Sequence, residues 1–179
     1  MYKISLEKED FLRYQLYTAS QSKSIRKKRI RTWILLTISF FILGLVLLQN
    51  NDKFLSFYFI GFSLLTFILF PFYQRRQYKI HYEKHINENY RNRFGIESEI
   101  RFEDGFLISK TDAQEGKIKL TEIQEINEIT GNLFIKIKTG ESIIIPSRYG
   151  EFNKLKEELV YLISPLGVEW KKQLNWKWK

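Results

Sequence analysis

His81 and His85 are the only two histidines in the 179-residue chain, and they stand at i and i+4 in the stretch HYEKH. On a helix this spacing places both imidazoles on one face, the arrangement a shared metal ion needs. HYEKH is not HExxH, however: Glu83 sits in the wrong place for a general base and no third ligand is evident. No metal site is therefore assigned. The chain has no cysteine, which excludes a disulfide framework, a thiol nucleophile and a thiolate metal centre. No Ser/His/Asp arrangement, glycine-rich phosphate loop or paired-carboxylate motif stands out. Glu122, Glu125 and Glu128 in EIQEINEI fall on the polar side of a strand pattern and read as solvated surface. The residues thus predict a non-enzyme with no cofactor.

A second constellation lies in VEWKKQLNWKWK, where Trp170, Trp176 and Trp178 interleave with Lys171, Lys172, Lys177 and Lys179. Lysine gains about 1 kcal/mol near an anionic surface, and tryptophan prefers the membrane interface, so this tail suits a lipid surface. Stacking on nucleic acid uses the same residue types. A third reading packs Trp170 on a sheet and leaves the remainder disordered. The placement of the net charge of +9 decides between lipid and nucleic acid: six of 29 basic residues crowd into KSIRKKRIR, Lys23 to Arg31, directly before an apolar run. That favours a membrane partner and no nucleic acid.

Two apolar runs, residues 32–48 and 54–73, contain no Asp, Glu, Lys or Arg. Crossing about 30 Å of hydrocarbon at about 1.5 Å per helical residue takes roughly 20 residues, with about 17 as the lower limit. The second run meets this fully and the first marginally. Buried helices of a soluble domain show a polar stripe where they face water. Here Ser39, Gly44, Ser56, Gly61, Ser63 and Thr66 form no such stripe. A cleaved signal peptide is disfavoured, because the first run starts only near Thr32 and a second follows closely.

The short connection QNNDK, Gln49 to Lys53, forces an antiparallel hairpin. Arg26, Lys27, Lys28, Arg29 and Arg31 precede it and Arg75 and Arg76 follow it, against Lys53 alone in the loop. This asymmetry predicts both flanks on the cytoplasmic side of an inner membrane. Trp33 and Tyr73 mark the run ends, where amphipathic rings prefer the headgroup layer. Gly44 and Gly61 would permit close helix approach, and Pro71 would bend the second span near its end.

The parts facing water must hold everything else. Tyr2, Ile4 and Leu6 alternate as in a strand, within an N-terminal segment 1–31 that also holds an acidic-ended helix with Phe11, Leu12, Leu16 and Ala19 near one face. One strand is unstable alone, so it is predicted to pair with the segment after the spans. Residues 74–95 read as an amphipathic helix, with Tyr78, Tyr82, Ile86, Tyr90 and Phe94 at spacing four, its histidines near the headgroup zone and Gly95 as the stop. From 96 to 165 the period turns to two, with turns at Glu103-Asp104-Gly105, Gly131-Asn132 and Thr139-Gly140, then returns to helical spacing at Phe152, Leu155 and Leu159. The prediction is an α+β membrane protein: a transmembrane hairpin plus an antiparallel meander or partly closed barrel capped by a helix, in the layout of pleckstrin-homology-like domains. Residues 166–179 form the basic and aromatic tail.

The leading YKISLEKEDFLRYQLY, the basic SKSIRKKRIR, the short-looped hairpin and ITGNLFIKIKTGESIIIPSR together resemble the YcxB-like family of small bacterial membrane proteins. The resemblance covers nearly the whole chain. It implies an inner-membrane protein with a pleckstrin-homology-like cytoplasmic domain, and it brings no catalytic residues. Phosphoinositide reading through a basic first hairpin is disfavoured, because the corresponding turn carries Glu103 and Asp104. The function expected is a membrane-anchored binding or scaffold module with a protein partner. An immunity protein that neutralises a toxin acting at the inner membrane is the alternative.

Overall fold

The computed structural model describes residues 1–179. Its elements follow in the order β1 (Tyr2–Ser5), α1 (Lys8–Gln21), α2 (Lys23–Gln49), α3 (Lys53–Asn89), β2 (Glu97–Glu103), β3 (Phe106–Lys110), β4 (Glu115–Lys119), β5 (Ile123–Ile129), β6 (Asn132–Ile137), β7 (Ser142–Pro146), α4 (Phe152–Ile163) and β8 (Glu169–Gln173). The fold is α+β. Two compact units divide the chain: Met1–Tyr14 with His85–Lys177, and Gln15–Lys84 with Trp178–Lys179.

The first unit holds two four-stranded sheets, ordered β1-β2-β3-β4 and β7-β6-β5-β8. The N-terminal strand finds the partner its isolation demands, with Tyr2 opposite Ile100 and Ser5 opposite Glu97 on β2. The β2–β3 hairpin turns at Asp104 and Gly105, both with positive φ (50° and 79°), the backbone a two-residue type I′ turn requires. A single partly closed meander does not form. A 3₁₀ turn at Leu120–Glu122 ends the first ladder, and β5 then pairs with β6 and β8 instead of β4. The phase shifts along KIKLTEIQEINEI have their physical cause in that turn and in a bulge between Ile123 and Glu125. β8 lies parallel to β5, with Trp170 opposite Ile126, so the sheet domain runs beyond residue 165 and takes in the first part of the expected tail.

One apolar core joins both sheets to α4. Ile4, Ile100, Leu107, Ile126, Leu133, Ile135 and Ile145 from the strands meet Leu155, Leu159 and Ile163 from the helix. The spacing of four along α4 puts these three on one face while Tyr161 on the other is 80% exposed. The central strand β6 is buried on both faces, since Leu133 and Ile135 enter this core while Phe134 between them is also buried. The start of α1 covers that second face: Tyr14 meets Phe134 edge-on at 5.4 Å, and Phe11 contacts Tyr90 and Phe94 at 5.2 and 5.7 Å.

In the second unit, Ser22 caps α2 by accepting a hydrogen bond from the Ile25 amide (3.4 Å). QNNDK closes the hairpin compactly. Asn51 takes a positive φ of 61°, and Asp52 Oδ1 accepts from Leu55 N (3.2 Å) at the start of α3. α3 continues unbroken through Pro71 to Asn89, so the expected second span and the start of the helix assigned to 74–95 are one element. It gives way to a 3₁₀ turn at Arg91–Arg93 and to Gly95 at φ 73°.

Candidate functional site

The histidine pair is not assembled into a metal centre. His85 Nδ1 lies 3.1 Å from the side-chain amide of Asn89, whose Nδ2 also donates to the His85 carbonyl (2.8 Å), while His81 sits edge-on to Tyr82. No group of three or more His, Asp or Glu side chains comes together anywhere in the chain.

Two glutamates that read as solvated surface are instead the anchors of an ionic network in the sheet domain. Glu128 is buried on β5, bound by Lys156 of α4 and by Trp170 Nε1 (3.0 Å). Glu125 accepts from Lys171, from Lys136 (3.3 Å) and from Asn127 (3.3 Å). The Lys171 hydrogen bond is the largest influence on Glu125 and holds its carboxyl below the usual range against burial. For Glu128 burial is the largest influence and pushes upward, yet the Lys156 and Trp170 hydrogen bonds outweigh it and the net shift is downward. Lys156 comes from α4 and Lys171 from β8, elements far from β5 in sequence, so a period-two pattern alone reads these carboxylates as surface. The network is closed on itself and fastens β8 to the domain.

A second buried cluster centres on Asp10. Its carboxylate accepts from Arg148 Nη1 (2.7 and 2.8 Å), from Asn132 Nδ2 (2.9 Å) and from the Glu7 amide (2.8 Å). Arg148 also donates to the Ser5 carbonyl (2.7 Å), as does the Tyr149 hydroxyl (2.6 Å). These bonds tie β1 and the start of α1 to β6 and the end of β7. Both clusters are closed joints, not open sites, with Asn132 Oδ1 the one side-chain atom of the Asp10 cluster buried without a hydrogen-bond partner.

The open feature is the hairpin of α2 and α3. Both helices are long and apolar enough to cross a membrane, at about 40 and 55 Å from their 27 and 37 residues. Their apolar side chains are not packed inside the protein: Phe54 is 82% exposed, Phe57 67%, Leu64 62% and Phe72 67%. Within the two apolar runs the buried residues are Gly44, Ser56 and Ser63, and polar bonds join the helices. Ser56 Oγ donates to the Gly44 carbonyl (2.8 Å), Ser63 Oγ to the Thr37 carbonyl (3.0 Å), and Trp33 Nε1 to the Phe67 carbonyl (3.0 Å). Steps of seven and four residues along α3 match the same steps back along α2, which defines an antiparallel pair with a fixed register. The helices approach closest at Gly44, where a Cβ would lie 2.7 Å from Ile60 Cγ1 and 3.2 Å from backbone atoms of Ser56 and Ile60. Gly61 has nothing within 4 Å of that position and plays no part in the approach.

The basic ends of the hairpin carry most residues singled out from sequence. Arg26, Lys27, Lys28, Arg31, Arg75 and Arg76 are exposed and form no ion pair. Arg29 is different. Its guanidinium lies 4.9 Å from the Trp178 ring and 5.5 Å from the Tyr78 ring, and its Nη2 donates to the Lys179 carbonyl (3.0 Å). Trp178 is buried, with Nε1 donating to the Arg75 carbonyl (3.0 Å), and Gln74 Nε2 donates to the Arg29 carbonyl (3.2 Å). Trp178 is thus a packed wedge on the hairpin rather than a ring offered to an interface, and Trp170 packs on the sheet core. Trp176 is half-buried; Lys177 and Lys179 are exposed, and Tyr73 is exposed beside Phe70 at 5.9 Å. Sequence alone did not single out Tyr78 and Gln74 as partners of Arg29, although both fall on the α3 face that Ser63 and Phe67 begin.

No family model matches the chain, and no curated protein or solved structure matches it significantly.

Proposed function

We propose that this chain is a membrane-anchored binding module, in which the α2–α3 hairpin crosses a bilayer and the sheet domain stands at the cytoplasmic face. The observation that carries the reading is the inverted burial of the hairpin: phenylalanines and leucines such as Phe57, Leu64 and Phe72 face outward while the Ser56 and Ser63 hydroxyls and Gly44 face the partner helix. Water would make that arrangement costly, at about 25 cal/mol per Å² of exposed apolar surface, whereas hydrocarbon removes the cost. Helix pairs in lipid associate through small residues and interhelical hydrogen bonds, the two devices used here.

Orientation follows from charge. The exposed cations at the open end of the hairpin outnumber Lys53 at the turn, which favours QNNDK outside and both chain ends inside. The sheet domain, with two sheets and α4 around one core, is read as pleckstrin-homology-like, in keeping with the plan of YcxB-like proteins. Its role is to hold a protein partner at the inner leaflet, through a free backbone edge such as that of β4 or β7.

The chain has no native cysteine, so single introduced thiols report topology directly. Asn51→Cys is expected to react with an impermeant maleimide in intact cells whose outer barrier, if any, has been opened, and Ser142→Cys only after lysis. Labelling of Ser142→Cys in intact cells would overturn the orientation, and release of the protein by alkaline carbonate would overturn membrane insertion.

A further inference from the structure

We propose that Arg26, Lys27, Lys28, Arg31, Arg75 and Arg76 form a binding collar for the headgroup phosphates of anionic phospholipids, a role beyond orienting the hairpin and one that rests on the membrane reading above. No Asp or Glu occurs from Lys23 to Asn51 or from Lys53 to Tyr82, so the cations have no carboxylate along either helix. The backbone carbonyls within the cluster are already engaged: Arg29 takes that of Lys179, Trp178 that of Arg75, and Gln74 that of Arg29. Six exposed cations are left with donors and no protein acceptor.

Position agrees with chemistry. The Gln74–Arg29 bond brings Arg75 and Arg76 level with the cations of α2, so both helices contribute to one layer. Arg26 to Arg31 rises about 7 Å along α2 at about 1.5 Å per residue, beginning where the apolar run ends. A headgroup layer is about 5–8 Å thick on each side of the hydrocarbon. The collar therefore occupies that layer, where guanidinium forks bind phosphate oxygens in pairs and lysines add point charge. Arg29, held by Trp178 and Tyr78, is not part of the collar; its ring contacts fix the two helix ends that carry it.

The test uses the full chain reconstituted in vesicles of equimolar phosphatidylcholine and phosphatidylglycerol, extracted with its boundary lipid, with the retained lipids quantified by mass spectrometry. The wild type is expected to retain phosphatidylglycerol over phosphatidylcholine by about fivefold or more. The variant carrying Gln at all six positions is expected to retain the two equally while staying resistant to alkaline carbonate. Equal retention by the wild type, or unchanged enrichment in the variant, overturns the proposal. Should the variant fail to reconstitute, the wild type decides alone: enrichment must collapse at high salt, and salt-insensitive enrichment overturns the collar. Inorganic phosphate must compete no better than chloride at matched ionic strength; stronger competition would assign the site to a free anion and sink the lipid assignment. Loss of the wild type itself into the carbonate supernatant would instead bring down the membrane reading, a separate result.

Discussion

The Trp33 indole donates a hydrogen bond to the Phe67 carbonyl at 3.0 Å, and Phe67 lies four residues before Pro71. Proline has no amide hydrogen, so it leaves the carbonyl four positions earlier without its helical partner. Trp33 supplies the missing donor from the other helix and stacks on the Phe67 ring at 4.9 Å. The tryptophan read from sequence as an interfacial marker is thus also the complement of the proline. Trp33→Phe is expected to destabilise the hairpin in mild detergent by about 1 kcal/mol. Pro71→Ala restores the amide, so the same Trp33 substitution in that background is expected to cost much less. Equal costs in a double-mutant cycle of thermal melts would refute the pairing.

The two glycines of the hairpin are expected to respond with opposite signs. Gly44→Ala drives a methyl into Ile60 and the α3 backbone, and close-packed sites of this kind lose about 1–3 kcal/mol when overfilled. Gly61→Ala meets open space and replaces a poor helix former, a gain of up to about 1 kcal/mol. Melting temperatures in one detergent compare the pair, and a Gly44→Ala protein as stable as the wild type would contradict the register.

Asp10 binds the first strand's neighbourhood to the rest of its domain. Asp10→Ala removes the acceptor of Arg148, Asn132 and the Glu7 amide at once, for an expected loss of about 3 kcal/mol. Arg13→Ala, which breaks an exposed pair with Glu9 and a long, exposed hydrogen bond to the Thr130 carbonyl (3.4 Å), is expected to cost about 1 kcal/mol or less. Chemical denaturation of the two variants measures the difference.

Stability is expected to fall at both ends of the pH scale for identifiable reasons. Glu125 and Glu128 have depressed folded-state values, so their contribution is present above the ordinary carboxylate range and lost as pH falls through those values. Tyr2 is pushed up to about 12, first by its hydrogen bond to Glu158 (2.6 Å) and then by burial. Its contribution is present below pH 10, the ordinary tyrosine value, and lost as pH rises toward 12. Lys171→Met should flatten the acid limb of a stability–pH curve and Tyr2→Phe the alkaline limb. An unchanged limb would remove the corresponding group from the account.

Local pattern made much of this fold legible. The charge-free runs, the short turn between them, the orphan first strand and the spacing along α4 each carry their signal within a few residues. What stayed hidden depends on partners distant in sequence. β8 reads as a charged tail because WKKQ has no alternation of its own; its place comes from parallel pairing to β5. Glu128 looks solvated until Lys156 and Trp170 arrive from other elements. Trp178 carries the composition of an interfacial ring and is committed instead to Arg29 and the Arg75 carbonyl.

The pairing of β1 with β2 also sets the order in which the protein can be completed. Ser98 and the Ile4 carbonyl it contacts are 94 residues apart, with the whole hairpin between them. At about 5–20 residues per second, the ribosome makes the first strand wait roughly 5–20 s for its partner. During that interval Tyr2–Ser5 is an unpaired β-template. Docking of the N-terminal strand is therefore expected to be a late folding step, completed only after synthesis of the hairpin and of β2.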